Sequence, residues 1–149
     1  MAAVAIELDP VLGDTRPLWR DWLEDAGRRA RVDLTLPGER AEAGPALDAL
    51  LGNWRELLER FAEDRAPVYL RPDAGVSASL RRLAAAETRL GVFTDAPEPL
   101  ARVALAHLGA ARRVEALEAG PQALERLLER LGPGTAVVRS RAELLQAAA

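Results

Sequence analysis

Hydrophobic and polar positions divide the chain into three kinds of stretch. Residues 2–6 and Leu8 form a short apolar run interrupted by Glu7, and Asp9 and the breakers Pro10 and Gly13 follow it. This predicts a buried strand that enters a loop, with two acids two residues apart at its exit. The period then becomes helical. Leu18, Trp19, Trp22 and Leu23 share one side of a helix that Asp14 and Thr15 would cap, that Pro17 suits in its first turn and that should stop near Gly27. Residues 28–45, with Arg28, Arg29, Arg31, Pro37, Gly38, Gly44 and Pro45, are too punctuated for one regular element. Leu47, Leu50, Leu51, Trp54, Leu57, Leu58 and Phe61 return at helical spacing and predict one helix over about 46–64.

Beyond Pro67 the pattern alternates. An extended piece at 68–70 precedes a helix over 76–86, and strands at 90–94, 113–117 and 135–138 are separated by helices over 98–108 and 122–131, with a last helix from 141. Alternation of this kind predicts a three-layer α/β fold, a mostly parallel sheet with helices on both faces. The stretch 14–66 offers no strand and reads as a helical insertion after the first strand, leaving 1–13 and 67–149 as the core. Ligands of open parallel sheets lie beyond the carboxyl ends of the strands. That points to residues 7–13, 94–97, 118–121 and 139–141.

Composition narrows the chemistry. The 149 residues suit one domain with a small insertion, and a net charge of -3 provides no global attraction for nucleic acid or acidic lipid. Without cysteine, thiolate catalysis and disulfides are excluded, and a single histidine makes no histidine-rich metal site. All twenty basic residues are arginine, so lysine chemistry is excluded too. No apolar run reaches membrane-spanning length, and no basic region precedes the opening run, so a cytoplasmic protein without a signal peptide is expected. Trp19, Trp22 and Trp54 are expected in the core of the insertion. Arg28, Arg29, Arg31 and Arg40 are expected to be a solvated run, and His107 a core or helix-end residue.

At the strand ends the chain resembles the haloacid dehalogenase-like superfamily, mostly phosphatases that pass a phosphoryl group through an aspartate. The segment Glu7-Leu8-Asp9-Pro10-Val11-Leu12-Gly13-Asp14-Thr15 corresponds to the family's first motif, and residues 69–76 followed by Leu90-Gly91-Val92-Phe93-Thr94-Asp95-Ala96 correspond to the approach to its second. The resemblance implies a helical cap for the insertion, a nucleophile at the position of Glu7, an acid/base at Asp9, a phosphate-binding hydroxyl at Thr94 with Asp95 beside it, and a magnesium ion. The family's lysine has no counterpart between Glu115 and Gln122, and its magnesium-binding acids are replaced by Arg139-Ser140-Arg141. Glutamate for aspartate displaces the attacking oxygen by roughly an ångström, which can cost about a hundredfold in rate. A guanidinium beside a magnesium site repels the ion.

These departures lead to an expectation of a degenerate, non-catalytic member that binds a partner or a small anionic ligand at Asp9, Thr94 and Asp95, with no cofactor. Arg139 is expected to replace the metal's charge by pairing with Glu7 or Asp9. Two alternatives stay open: a weak magnesium-dependent phosphomonoester hydrolase using Glu7 and Asp9, and a self-association module built on the helical insertion. Outside the resemblance, Glu7 and Asp9 read as solvated or capping acids, and Thr94 as a strand-end hydroxyl starting a turn.

Overall fold

A computed structural model describes residues 3–36 and 38–149; Ala2 and the breaker Pro37 lie outside them. Four strands, β1 (Ala3–Glu7), β2 (Arg89–Thr94), β3 (Ala116–Ala119) and β4 (Ala136–Val138), form a wholly parallel sheet in the order β3-β2-β1-β4. The strand that carries the two acids is therefore central, and its exit lies beside the exits of β2 and β4. Seven helices complete the described fold: α1 (Arg16–Ala30), α2 (Gly44–Leu50), α3 (Trp54–Tyr69), α4 (Ala74–Ala85), α5 (Glu98–His107), α6 (Ala123–Leu131) and α7 (Arg141–Ala148). None is long and apolar enough to cross a membrane.

Strand alternation sorts the core into layers. Val4, Ile6, Leu90, Val92 and Val138 pack against α4, α5 and α7 through Val76, Leu80, Leu83, Ala104, Leu105 and Leu144. On the opposite face Ala3, Ala5, Phe93 and Ala116 meet Ala123, Leu127 and Leu131 of α6. Small residues on that face let the helix sit close. A Cβ on Gly91 would come within 2.6 Å of Leu127 Cδ1 and 3.0 Å of Leu131 Cδ1. The insertion has its own core, in which Leu18, Trp19, Trp22, Leu47, Trp54, Leu58 and Ala62 close on Ala96 and Leu100, which lie beyond β2. The three tryptophans are buried there.

Several boundaries differ from the sequence reading. The helix predicted over 46–64 is two, because Gly52 and Asn53 break it and Leu51 leaves helical geometry, while the leucine spacing continues across the gap. Residues 68 and 69 are helical rather than extended. Pro67 sits exposed in the last turn of α3, and the turn is held by the Leu70 N–H donating to the Ala66 carbonyl at 2.8 Å and by the Tyr69 hydroxyl donating to Asp21 of α1. The helix therefore continues past residue 66 to Tyr69. Gly27 does not end α1. It is buried where a Cβ would meet the Val32 carbonyl at 3.0 Å, and α1 runs on to Ala30 before Arg31 turns left-handed at φ 56°. The third strand starts at Ala116, because Ala111–Arg113 form a 3-10 turn and the Glu115 N–H opens the ladder to Leu90 at 2.9 Å.

Candidate functional site

The exit of β1 is a wide π-helical turn, Leu8–Leu12, in which Asp9 keeps extended geometry and the Gly13 N–H closes on the Leu8 carbonyl at 3.2 Å. Leu8, Val11 and Leu12 anchor the turn in the core, so Asp9 is presented from a fixed backbone. Its carboxylate is only 8% exposed. Oδ1 accepts the Thr15 N–H at 3.0 Å and Oδ2 accepts the Thr15 hydroxyl at 2.7 Å. A carboxylate this enclosed needs a counter-charge as well as hydrogen bonds.

The counter-charge is Arg40. It comes from a 3-10 turn, Arg40–Glu42, that links α1 to α2 in the insertion, and its side chain is 6% exposed. Nη2 donates to Asp9 Oδ2 at 3.0 Å and to Asp95 Oδ1 at 2.6 Å, and Nη1 donates to the Thr15 hydroxyl oxygen at 2.9 Å. Nε is buried without an acceptor among the described residues. The expectation of a solvated arginine run is thus corrected at Arg40: Arg28 and Arg29 are exposed and pair with Asp25 on α1, while Arg40 points into the crevice because two acids converge there. The capping expectation for Thr15 is corrected as well. Thr15 precedes α1, but its hydroxyl makes no cap bond and serves Asp9. Asp14 accepts the Arg16 N–H at 3.1 Å and the Arg16 side chain at 2.8 Å, and the Arg16 guanidinium holds the Asp14 carboxyl below its ordinary pKa.

Glu7 lies on the face of the sheet that α6 covers. Its Oε2 is 3.3 Å from Arg139 Nη1, in a pair whose side chains are 30% and 54% exposed, and the Arg139 guanidinium also lies over the Phe93 ring at 5.3 Å. The two acids therefore have separate arginine partners, Arg139 for Glu7 and Arg40 for Asp9. The rest of the fourth strand exit is committed to structure. The Ser140 hydroxyl accepts the Glu143 N–H at 3.1 Å as the cap of α7, and Arg141 Nε donates to the Val11 carbonyl at 3.1 Å.

Thr94 ends β2 buried, and its hydroxyl accepts the Ala96 N–H at 3.1 Å, which starts the turn toward Pro97. Asp95, half-exposed, faces a cleft of about 510 Å³ between the insertion and the core, walled also by Arg40, Trp54, Arg55, Glu98 and Arg102. Near the end of β3, Glu118 receives Arg130 at 2.7 Å and Arg126 at 2.9 Å, and these two guanidinium groups, Arg130 first, hold its carboxyl below the usual range. The Arg126 side chain also donates to the Ala119 and Pro121 carbonyls, so this cation from α6 ties the loop and does not face Asp9. His107, near the end of α5, has Nε2 3.1 Å from the Leu70 carbonyl.

A magnesium ion requires several hard oxygen ligands in near-octahedral array. Here Asp9 and Glu7 are each held by a guanidinium, Arg139-Ser140-Arg141 offers no acid, and among the described residues no group of three or more His, Asp or Glu side chains could hold a metal ion. The residues do not fit the metal that the fold implies.

No protein-family model matches the chain, and no curated protein matches it. Among solved structures it is similar to a crystal structure described as that of a beta-phosphoglucomutase from Thermotoga maritima, an enzyme of the haloacid dehalogenase-like superfamily. The identity is 22%, the TM-score 0.57, and the match covers 99% of this chain and 82% of that one. The fold is thus haloacid dehalogenase-like, a Rossmann-like α/β core with a wholly parallel sheet.

Proposed function

We propose that this chain is a non-catalytic protein with a haloacid dehalogenase-like fold, whose cleft binds a partner or a small anionic ligand rather than turning over a phosphate ester. The observation that carries this reading is the contact of the buried Arg40 side chain with Asp9 and Asp95. A nucleophile and an acid/base must be free to approach the substrate. Here Asp9 is enclosed by Thr15 and Arg40, and Glu7 is paired with Arg139. Arg55 and Arg102 on the cleft wall are about half exposed, paired with Asp48 and with Glu59 and Glu98, and an anion would share them with those acids.

The test is turnover of a panel of small phosphomonoesters by the purified chain with magnesium and with chelator. No metal-dependent release of phosphate is expected. Release that chelator abolishes, and that Asp9→Ala and Glu7→Ala both lose, would establish the hydrolase alternative instead. Ligand binding is read separately, as a rise in melting temperature with phosphate or another small anion, since a ligand that prefers the native state raises its stability.

A further inference from the structure

Arg40 makes an unusual set of contacts for a hydrogen-bonding residue. One nitrogen, Nη2, lies between two carboxylates, Nη1 reaches Thr15, and Nε is buried with no acceptor among the described residues. A buried donor left unmet costs stability, so hydrogen bonding alone does not account for this placement. Charge does. Asp9 and Asp95 come from the exits of adjacent strands, β1 and β2, and converge on a single point that a cation fills. That cation belongs to the chain. It cannot dissociate or be chelated, and its geometry suits carboxylate oxygens.

We propose, building on the reading above that the site is neutralised by its own arginines, that Arg40 is a tethered counter-ion which blocks divalent-cation binding at Asp9 and Asp95. Removing the guanidinium turns the same carboxylates into a divalent-cation site. The physical reason is the burial of Asp9. Once Arg40 is gone, the described residues leave its carboxylate only the Thr15 donors, and a cation from solution can supply the missing charge. Asp95, half-exposed on the cleft, is both the second ligand and the side from which an ion enters.

The experiment is a titration with Mn²⁺, read by the electron paramagnetic resonance of the free ion and by melting temperature, on the full chain and on Arg40→Gln. Wild type is expected to leave Mn²⁺ free, and Arg40→Gln to bind it at least about tenfold more tightly, with a higher melting temperature in Mn²⁺ than in chelator. Arg40→Lys, which keeps a tethered charge, is expected to behave as wild type, and adding Asp9→Asn to Arg40→Gln is expected to abolish the gain. Wild type binding Mn²⁺ as tightly as the variant, or a folded Arg40→Gln that binds none, would overturn the proposal. If Arg40→Gln does not fold alone, refolding in Mn²⁺ but not in chelator supports the proposal, and refolding in neither overturns it. A wild-type chain silent toward phosphomonoesters together with an Arg40→Gln indifferent to Mn²⁺ defeats this inference and leaves the reading above standing; metal-dependent turnover by wild type defeats that reading.

Discussion

Two arginines pair with two acids at the exit of β1, and solvent separates their energetics. The Arg139 and Glu7 pair is open to water, where an ion pair contributes about 0–1 kcal/mol, so Arg139→Ala is expected to cost less than about 1 kcal/mol of unfolding free energy. Arg40 and Asp9 are each more than nine-tenths buried. Arg40→Ala leaves a carboxylate without its counter-charge and is expected to cost about 3–5 kcal/mol at neutral pH, measured by urea denaturation without divalent ions. Equal costs for the two variants would show that the enclosure of Asp9 has no energetic weight. Glu118 adds a pH dependence. Its folded carboxyl titrates below the ordinary range because of Arg130 and Arg126. Its contribution is therefore complete above about pH 4.3, the unfolded value, and is lost as the pH falls through the depressed folded one. Glu118→Gln is expected to destabilise at neutral pH and to be nearly neutral at the acid end of that window, as stability curves at the two pH values would show.

At the scale of elements, the contact of α6 with the sheet rests on small side chains. Gly91→Ala places a methyl against Leu127 and Leu131, both buried, so that their side chains must shift within the packed core, and is expected to cost about 1–3 kcal/mol in urea denaturation. This contact also shows what the sequence reveals and what it does not. The strand holding Gly91 was legible from its apolar run, because burial on both faces leaves a run of that kind, but nothing local showed that Gly91 faces a helix more than thirty residues downstream. The break at Gly52 and Asn53 was hidden for a related reason. Leu50, Leu51, Trp54 and Leu57 keep helical spacing, and periodicity registers faces rather than the continuity of a hydrogen-bond ladder. Pro67 misled in the opposite direction, since an exposed proline in a last turn removes a donor that solvent-side packing does not require.

Over the whole molecule, Glu7, Asp9, Thr94, Asp95 and Arg139 could be placed at strand exits from the sequence, because a parallel sheet fixes where its exits lie. Arg40 could not. It sits in the irregular stretch between two helices, and only the packing of the insertion over the sheet turns it inward, which no local pattern encodes. Its one signal was contrast: a single arginine among glycine and proline positions, apart from the cluster at 28–31. The same packing makes the insertion and the core share side chains, with Ala96 and Leu100 in the insertion's cluster and Arg102 of α5 paired with Glu59 of α3. Unfolding is therefore expected to be a single transition. All three tryptophans lie in the insertion, so their fluorescence follows it alone, and its denaturation midpoint should coincide with that of far-UV circular dichroism. Separate midpoints would show that the two parts melt independently.

The central place of β1 has a consequence for how the chain is made. Val4 aligns with Leu90 on one side and with Ala136 on the other, so during synthesis the first strand emerges long before either neighbour exists. Pairings across such long separations form late, and an apolar ribbon awaiting them is open to premature association. A nascent chain of this design gains from a holding chaperone until β4 leaves the ribosome.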